Sequence, residues 1–295
     1  MQTAEAKTGI RLKNIVFATD FSPAATNALS YAGDLARRFG AKLHVVNAAE
    51  PVNYALPPQT WHGTDEARAL ETKKLQELLH ASLPDVDHEI QVWEGTVGHV
   101  VSASVERVDA DMVVLGTRGR TGVGKVLLGS SAEEVLRNAP CPVLTVGPHT
   151  HKPQAWQLNQ IVYATDFSPA SIWAARYAVA LAREYKAGLT LLHVIEDRKV
   201  GELVHSSDLA ASSERLLRNL APEGVGLPEP KCEVRQGVPA EKILEAAEQT
   251  HADLIVLGAR HPSGVPGAAT HLPITTVHKV IVHAPCPVLT VGHRE

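Results

Sequence analysis

The sequence predicts an α/β protein made of two tandem copies of one domain, each an open parallel β-sheet with helices on both faces. Three observations carry this. Ile15 to Ala24 (IVFATDFSPA) returns as Ile161 to Ala170 (IVYATDFSPA), identical at nine of ten positions. Ala139 to Gly147 (APCPVLTVG) returns unchanged as Ala284 to Gly292, and ADMVVLG at 110–116 returns as ADLIVLG at 252–258. The three offsets are 146, 145 and 142 residues, so the matches are collinear and a whole domain is duplicated. A period that long excludes a solenoid. The expected boundaries are 1–148 for the first domain, a polar, Pro-containing linker over 149–158, and 159–295 for the second.

Within the first copy, short aliphatic runs alternate with amphipathic stretches. Strands are expected at Asn14–Ala18, Lys42–Ala48, His88–Trp93, Met112–Gly116 and Val143–Val146, each apolar enough to be covered on both faces. A helix is expected over Pro23–Phe39, with Ser22 as N-cap, Pro23 at the first helical position and Gly40 as its stop. Further helices are expected at Thr64–Leu83, Val97–Val108 and Ser130–Asn138. Strands in the second copy fall near Gln160–Ala164, Gly188–Ile195, Lys231–Arg235, Asp253–Gly258 and Val288–Val291. Strand–helix alternation of this kind yields parallel strands joined by right-handed crossovers.

Composition narrows the function. The net charge is −4 from 28 basic and 32 acidic residues, which gives no global attraction for nucleic acid or for an anionic membrane. No apolar run reaches the roughly 20 residues of a membrane span. Met1 to Lys13 carries charges without an apolar core, so no secretory signal is expected. Three cysteines without metal or redox spacing suit a reducing, cytoplasmic compartment. Fifteen histidines form no HxxxH or HxxH pair around His261, His271 and His278, and no metal site is expected. Cys141 and Cys286, both in Ala-Pro-Cys-Pro, are read as packing residues.

In an open α/β sheet, ligands bind beyond the carboxyl ends of the strands. Asp20 ends the first strand there, either to meet a ribose or base or simply to open the turn before the helix. Gly116-Thr-Arg-Gly119 follows the fourth strand, and Gly129-Ser130-Ser131 opens the last helix. Glycines let backbone N–H groups approach a phosphate, and a helix N-terminus favours an anion. Arg118, Arg120 and Lys125 supply positive charge with no acid between them. The competing role is capping, with Ser130–Glu133 and Ser131–Glu134 as candidate capping boxes. Gly119 to Lys125 mimics a P-loop, but Val126 replaces the magnesium-binding hydroxyl and the loop follows the wrong strand.

Gly116, Gly119, Gly129 and Ser130 keep the spacing G-x2-G-x9-G-(S/T). With the Thr-Asp-Phe-Ser opening and the final Pro-Cys-Pro-Val-Leu strand, the chain resembles a tandem universal stress protein of the ATP-binding subgroup. The resemblance implies a five-stranded sheet in order 3-2-1-4-5. It implies binding of ATP, AMP or ADP, with magnesium or manganese as a candidate companion of the phosphates. Asp20 would meet the adenosine end, and Val45 would meet adenine through its backbone. Gly116, Arg118, Gly119, Gly129, Ser130 and Ser131 would line ribose and phosphates. Since single-domain members pair as dimers, the last strands are expected to pair the two copies, with association of whole chains as an extension.

The second copy keeps Asp166, Val194 (after His193), Gly258 and Arg260, followed by Thr275 and Thr276 at the last helix. His261 and Ile274 replace two motif glycines, so one nucleotide site is expected, in the first copy. The expected function is a nucleotide-dependent regulatory module of a stress response. The alternatives are a slow ATPase and an interaction protein with a vestigial site. The loop 117–128 has no Asp, Glu, His or Gln to position a water, which favours binding over turnover.

Overall fold

The computed structural model describes residues 9–49, 64–117, 128–150, 155–196, 206–221, 228–259 and 276–292. Two compact units form, one containing Leu12–Trp156 and the other containing residues 157–259 and 276–292. In the first, β1 (Asn14–Ala18), β2 (Lys42–Ala49), β3 (His88–Glu94), β4 (Met112–Gly116) and β5 (Val143–Val146) alternate with α1 (Pro23–Phe39), α2 (Thr64–Ser82), α3 (Val97–Val108) and α4 (Ser130–Asn138). The strands are parallel and lie in the order β3-β2-β1-β4-β5. The second unit holds β6 (Gln160–Thr165), β7 (Gly188–Ile195), β8 (Lys231–Gln236), β9 (Leu254–Ala259) and β10 (Val288–Gly292), with α5 (Pro169–Tyr185), α6 (Ser206–Leu220), α7 (Pro239–Gln249) and α8 (Thr276–His283). Its parallel order, β8-β7-β6-β9-β10, repeats the first.

Scarce aromatics leave an aliphatic core. Ile15, Leu29, Leu35, Leu43, Leu144 and Ile161 are fully buried, and the two large aromatics among them, Phe17 and Tyr163, occupy equivalent positions. The Tyr163 hydroxyl donates to the Ser171 carbonyl at 2.6 Å, and burial pushes its phenol up to about 12. Each sheet is pinned at its amino end by an aspartate immediately before β4 or in front of β9. Asp111 Oδ2 accepts from the Lys13 and Asn14 N–H groups at 2.6 and 2.9 Å, and Asp253 Oδ2 accepts from Asn159 and Gln160 at 2.7 and 3.0 Å. The repeated Ala-Asp before each of these strands is thus a clamp that satisfies backbone donors.

The segment expected to be the linker has both described ends fixed. The Thr150 carbonyl accepts from Asn27 Nδ2 at 2.9 Å, and the Trp156 N–H donates to Asp34 Oδ2 at 2.6 Å. The Trp156 ring stands edge-on to Tyr31, with centroids 4.9 Å apart. Both ends of the segment therefore lie along α1, and the compact first unit extends to Trp156.

Two backbone positions carry consequences. Gly116, at the end of β4, lies against the start of α1, where an added Cβ would meet Ala24 C at 2.7 Å and Ala25 N at 2.8 Å. Gly258 has the same relation to the backbone of Ala170 and Ser171. A methyl cannot be accommodated against backbone without moving the helix, so Gly116→Ala and Gly258→Ala should each cost on the order of 1–3 kcal/mol. Denaturant unfolding checks this, and losses below about 0.5 kcal/mol would contradict the packing role.

The second position is the stop of the long helix. Gly40 ends α1 at φ 62°, and Lys186 ends α5 at φ 56° in the same left-handed region. A side chain there costs roughly 1–2 kcal/mol. Lys186→Gly should therefore raise stability by up to about 1 kcal/mol, whereas Gly40→Ala should lower it by a similar amount. Thermal unfolding of the two variants tests the opposite signs.

Candidate functional site

At the carboxyl end of β1 the chain turns sharply into α1. Asp20 Oδ1 accepts from the Ser22 N–H at 2.9 Å, and Thr19 Oγ1 accepts from Phe21 at 3.1 Å. Phe21 takes φ 61°, and the Ser22 hydroxyl then caps α1 by accepting from Ala25 N. The second copy builds the same turn, with Asp166 Oδ1 accepting from Ser168 at 3.0 Å and Thr165 Oγ1 accepting from Phe167 at 2.9 Å. The repeated Thr-Asp-Phe-Ser is therefore explained first by turn geometry. Asp20 also lines a cleft, so both of its expected roles meet at one residue.

That cleft lies above the first sheet and holds about 760 Å³ of non-atom space, part of it open to solvent. Its floor is apolar, formed by Ala18, Val46, Ala48 and Leu115 from the strands and by Val97 and Val101 from α3. Its polar rim comprises Thr19, Asp20, Thr117, Ser130 and Ser131. The cleft runs from the Asp20 turn to the start of α4, past Gly116 and Gly129.

The start of α4 differs from the capping expectation. Gly129, not a serine, is the N-cap, and it has no side chain with which to cap the first-turn amides. Ser130 and Ser131 are the first two helical residues. Neither capping box forms: Glu133 instead pairs with Arg137 at 3.0 Å, and the Glu134 side chain packs against Gly98 of α3. Gly129 has φ −65° and ψ 144°, an extended conformation open to any residue. Its contribution is thus the missing side chain at the cleft wall and not an unusual torsion. The base of the motif loop is tied shut, because Gly129 N–H donates to the Thr117 carbonyl at 2.9 Å and Thr117 N–H donates to Val146 at 3.1 Å. Arg118, Gly119, Arg120 and Lys125 lie outside the described residues, as do Arg260, His261, Ile274 and Thr275. Thr276 opens α8, and Gly258 has the packing role described above.

The adenine-side expectation requires a correction. Val45 lies in the middle of β2, fully buried and flanked by Phe17 and Ile90, and the cleft is lined instead by Val46 and Ala48. The His-Val dipeptides of the two copies are not equivalent. Ile15 pairs with Leu43 and Ile161 with Leu189, so the residue matching Val194 is Ala48, and the residue matching His193 is Asn47. Side-chain function confirms the register. Asn47 Nδ2 donates to the Thr19 carbonyl at 2.9 Å, and His193 Nδ1 donates to the Thr165 carbonyl at 2.8 Å. An amide and an imidazole hold the same strand end, and the imidazole also packs on Phe167 with centroids 4.5 Å apart. The two His-Val dipeptides thus lie three residues apart in register, which only the ladder reveals.

Other groups are chemically quiet. Burial pushes the Cys286 thiol up to about 12, and it raises Cys232 as well. Among the described residues, no three His, Cys, Asp or Glu side chains form a group able to hold a metal ion, and no helix is long and apolar enough to cross a membrane.

Comparison with known proteins places this architecture. The model of the universal stress protein family matches residues 11–147 and again residues 158–292. A universal stress protein of Methanocaldococcus jannaschii is 32% identical over 140 residues, which is 45% of this chain and 81% of the relative. A universal stress protein of Mycobacterium tuberculosis is 28% identical over 253 residues, 82% of this chain and 83% of its own length. Among solved structures, a universal stress protein from Archaeoglobus fulgidus superposes over 96% of this chain and 99% of its own, with a TM-score of 0.72 at 22% identity. Two matches of the family model, each spanning one copy, show that the chain belongs to the universal stress protein family and carries its domain twice.

Proposed function

We propose that the chain is a nucleotide-dependent regulatory module of a stress response and that ATP, or AMP or ADP, binds in the first-half cleft. The observation that carries this reading is the start of α4. A helix N-terminus with two serines and no side-chain cap opens into an apolar-floored cleft, with Asp20 at the other end. Uncapped amides and the helix dipole suit phosphates, the apolar floor suits a base, and Asp20 suits ribose hydroxyls. Ala48, not Val45, is then the β2 residue closest in register to the base.

Binding suits this site better than turnover. Asp20 is the one carboxylate among the described lining residues, and one of its oxygens serves the turn. A divalent ion accompanying the phosphates would thus be held chiefly by the nucleotide. In the second half Asp166 also serves a turn, and Gly258 is required by packing. Their retention therefore supports a fold more than a second site.

Equilibrium dialysis of the nucleotide-stripped chain should give one tight ATP per chain. No binding would overturn the reading, and two equivalent ATP molecules would overturn the assignment to the first half. Gly119→Ala should weaken ATP at least about tenfold with unfolding unchanged, because a methyl would intrude between backbone and anion. Arg118→Ala should weaken ATP more than adenosine, because the lost contact is electrostatic. Isothermal titration of the two variants checks both, and equal losses for ATP and adenosine would move the phosphates away from this loop.

A further inference from the structure

The face of the first sheet that forms the cleft floor also buries an imidazole. Side chains alternate along a strand, so His44, Val46 and Ala48 of β2 point to the same face. Val46 and Ala48 line the cleft, and His44 lies one step deeper, its side chain only 5% exposed. Its Nε2 donates to the Asn14 side-chain oxygen at 3.2 Å, which leaves Nδ1 as an acceptor toward Gln91 Nε2 at 3.5 Å. Gln91 Oε1 in turn accepts from Ser104 Oγ at 2.8 Å. Ser104 lies on α3, one turn beyond Val101, which itself lines the cleft. A continuous polar chain therefore runs from β1 through β2 and β3 to the helix that forms one cleft wall.

The charged groups around His44 are few and can be named. Glu89 Oε2, from β3, lies 3.7 Å from Nδ1. Glu89 is already bound to Arg107 of α3 at 2.7 Å and to Lys42 of β2 at 3.1 Å. Asp87, ahead of β3, adds a weaker attraction, and from β1 the facing group is the neutral Asn14. Burial dominates this balance and holds His44 below its usual 6.5, so the ring is neutral near neutral pH. A second proton would turn Nδ1 from acceptor to donor, facing the donor end of the Gln91 amide. The nearest acceptor is Glu89, which now holds Arg107. Protonation thus sets His44 against two polar ties between α3 and β3, Ser104–Gln91 and Arg107–Glu89.

The second half provides an internal contrast. By strand register and the matching glycines Gly95 and Gly237, the equivalents of His44, Gln91 and Ser104 are Thr190, Glu233 and Ala246. The imidazole chain is confined to the copy that keeps the phosphate motif.

We propose that His44 is a proton-linked lock between β2 and α3, through which pH sets the affinity of the first-half cleft for its ligand. The proposal rests on the nucleotide reading for the identity of that ligand, but the lock itself does not. The sign follows from linkage. A base held below its unfolded value binds fewer protons in the native state, so the stabilisation is full above about 6.5 and is lost as pH falls through the native value. Ligand and proton then oppose each other, and bound ligand lowers the His44 value further.

The test begins without nucleotide. In the free chain, amide exchange in α3 should accelerate as pH is lowered from 7.5 to 5.5, after correction for intrinsic exchange rates, and α7 should change little. His44→Gln should abolish that difference, and Ser104→Ala should reduce it at least about twofold while the His44 ring still titrates by NMR. Equal acceleration in α3 and α7, or a His44 ring that titrates with no change in α3, would overturn the lock. ATP dissociation constants are then measured over the same range. Wild type should lose affinity by at least about fivefold more than His44→Gln, the comparison subtracting the titration of ATP itself. Parallel losses would overturn the coupling. Absence of ATP binding at pH 7.5 would overturn the nucleotide reading alone, leaving the exchange measurement to decide the lock.

Discussion

The structure of each half depends on one close approach, backbone against backbone, between the end of the fourth strand and the start of the first helix. At Gly116 the main chain of α1 comes so near that a single carbon would collide with Ala24 and Ala25. Seating the helix this tightly places the Thr-Asp-Phe-Ser turn directly beside the carboxyl end of β4, and Asp20 then shares a cleft with Gly116 and Thr117. The same contact at Gly258 gives the second half the same seat. A glycine read as a phosphate contact is therefore first a packing residue, and its presence in both copies follows from the fold.

Around that contact, the two copies solve identical structural problems with different chemistry. The carbonyl at the end of the first strand is held by an asparagine in one copy and by a histidine in the other. The long helix ends in the left-handed region at a glycine in one and at a lysine in the other. Phe17 and Ala25 in the first copy become Tyr163 and Ser171 in the second, where the added hydroxyl of the tyrosine finds a main-chain carbonyl. At these positions geometry is retained while side chains drift, and the polar atoms of Asn47, His193 and Tyr163 each find a backbone carbonyl.

The cleft of the first half lies where two kinds of helix terminus meet. At the start of α1 the Ser22 hydroxyl accepts from Ala25 N, whereas the N-cap of α4 is a glycine with no side-chain cap. Beneath the apolar floor, His44, Gln91 and Ser104 tie α3 to the sheet. That chain passes through a buried imidazole, which burial holds below its ordinary value.

Much of this was legible in the residues alone. The repeat, the strand–helix alternation, the Ser22-Pro23 helix start and the Gly40 stop all follow from local patterns, because propensity, capping and period act over a few neighbouring residues. What stayed hidden depends on residues brought together from distant parts of the chain. The equivalence of Ala48 with Val194 is set by ladder register, which two similar dipeptides could not reveal. The capping boxes at Ser130 and Ser131 fit the letters but fail, because Glu133 finds Arg137 and Glu134 packs on α3. The Asp111 and Asp253 clamps each span more than 90 residues of chain. Sequence by itself determined which elements form and how often the domain recurs. Tertiary packing alone decided which glycine meets a helix, which amides remain open and which histidine lies beneath the cleft, since each is a contact between strands or helices whose spacing no local pattern encodes.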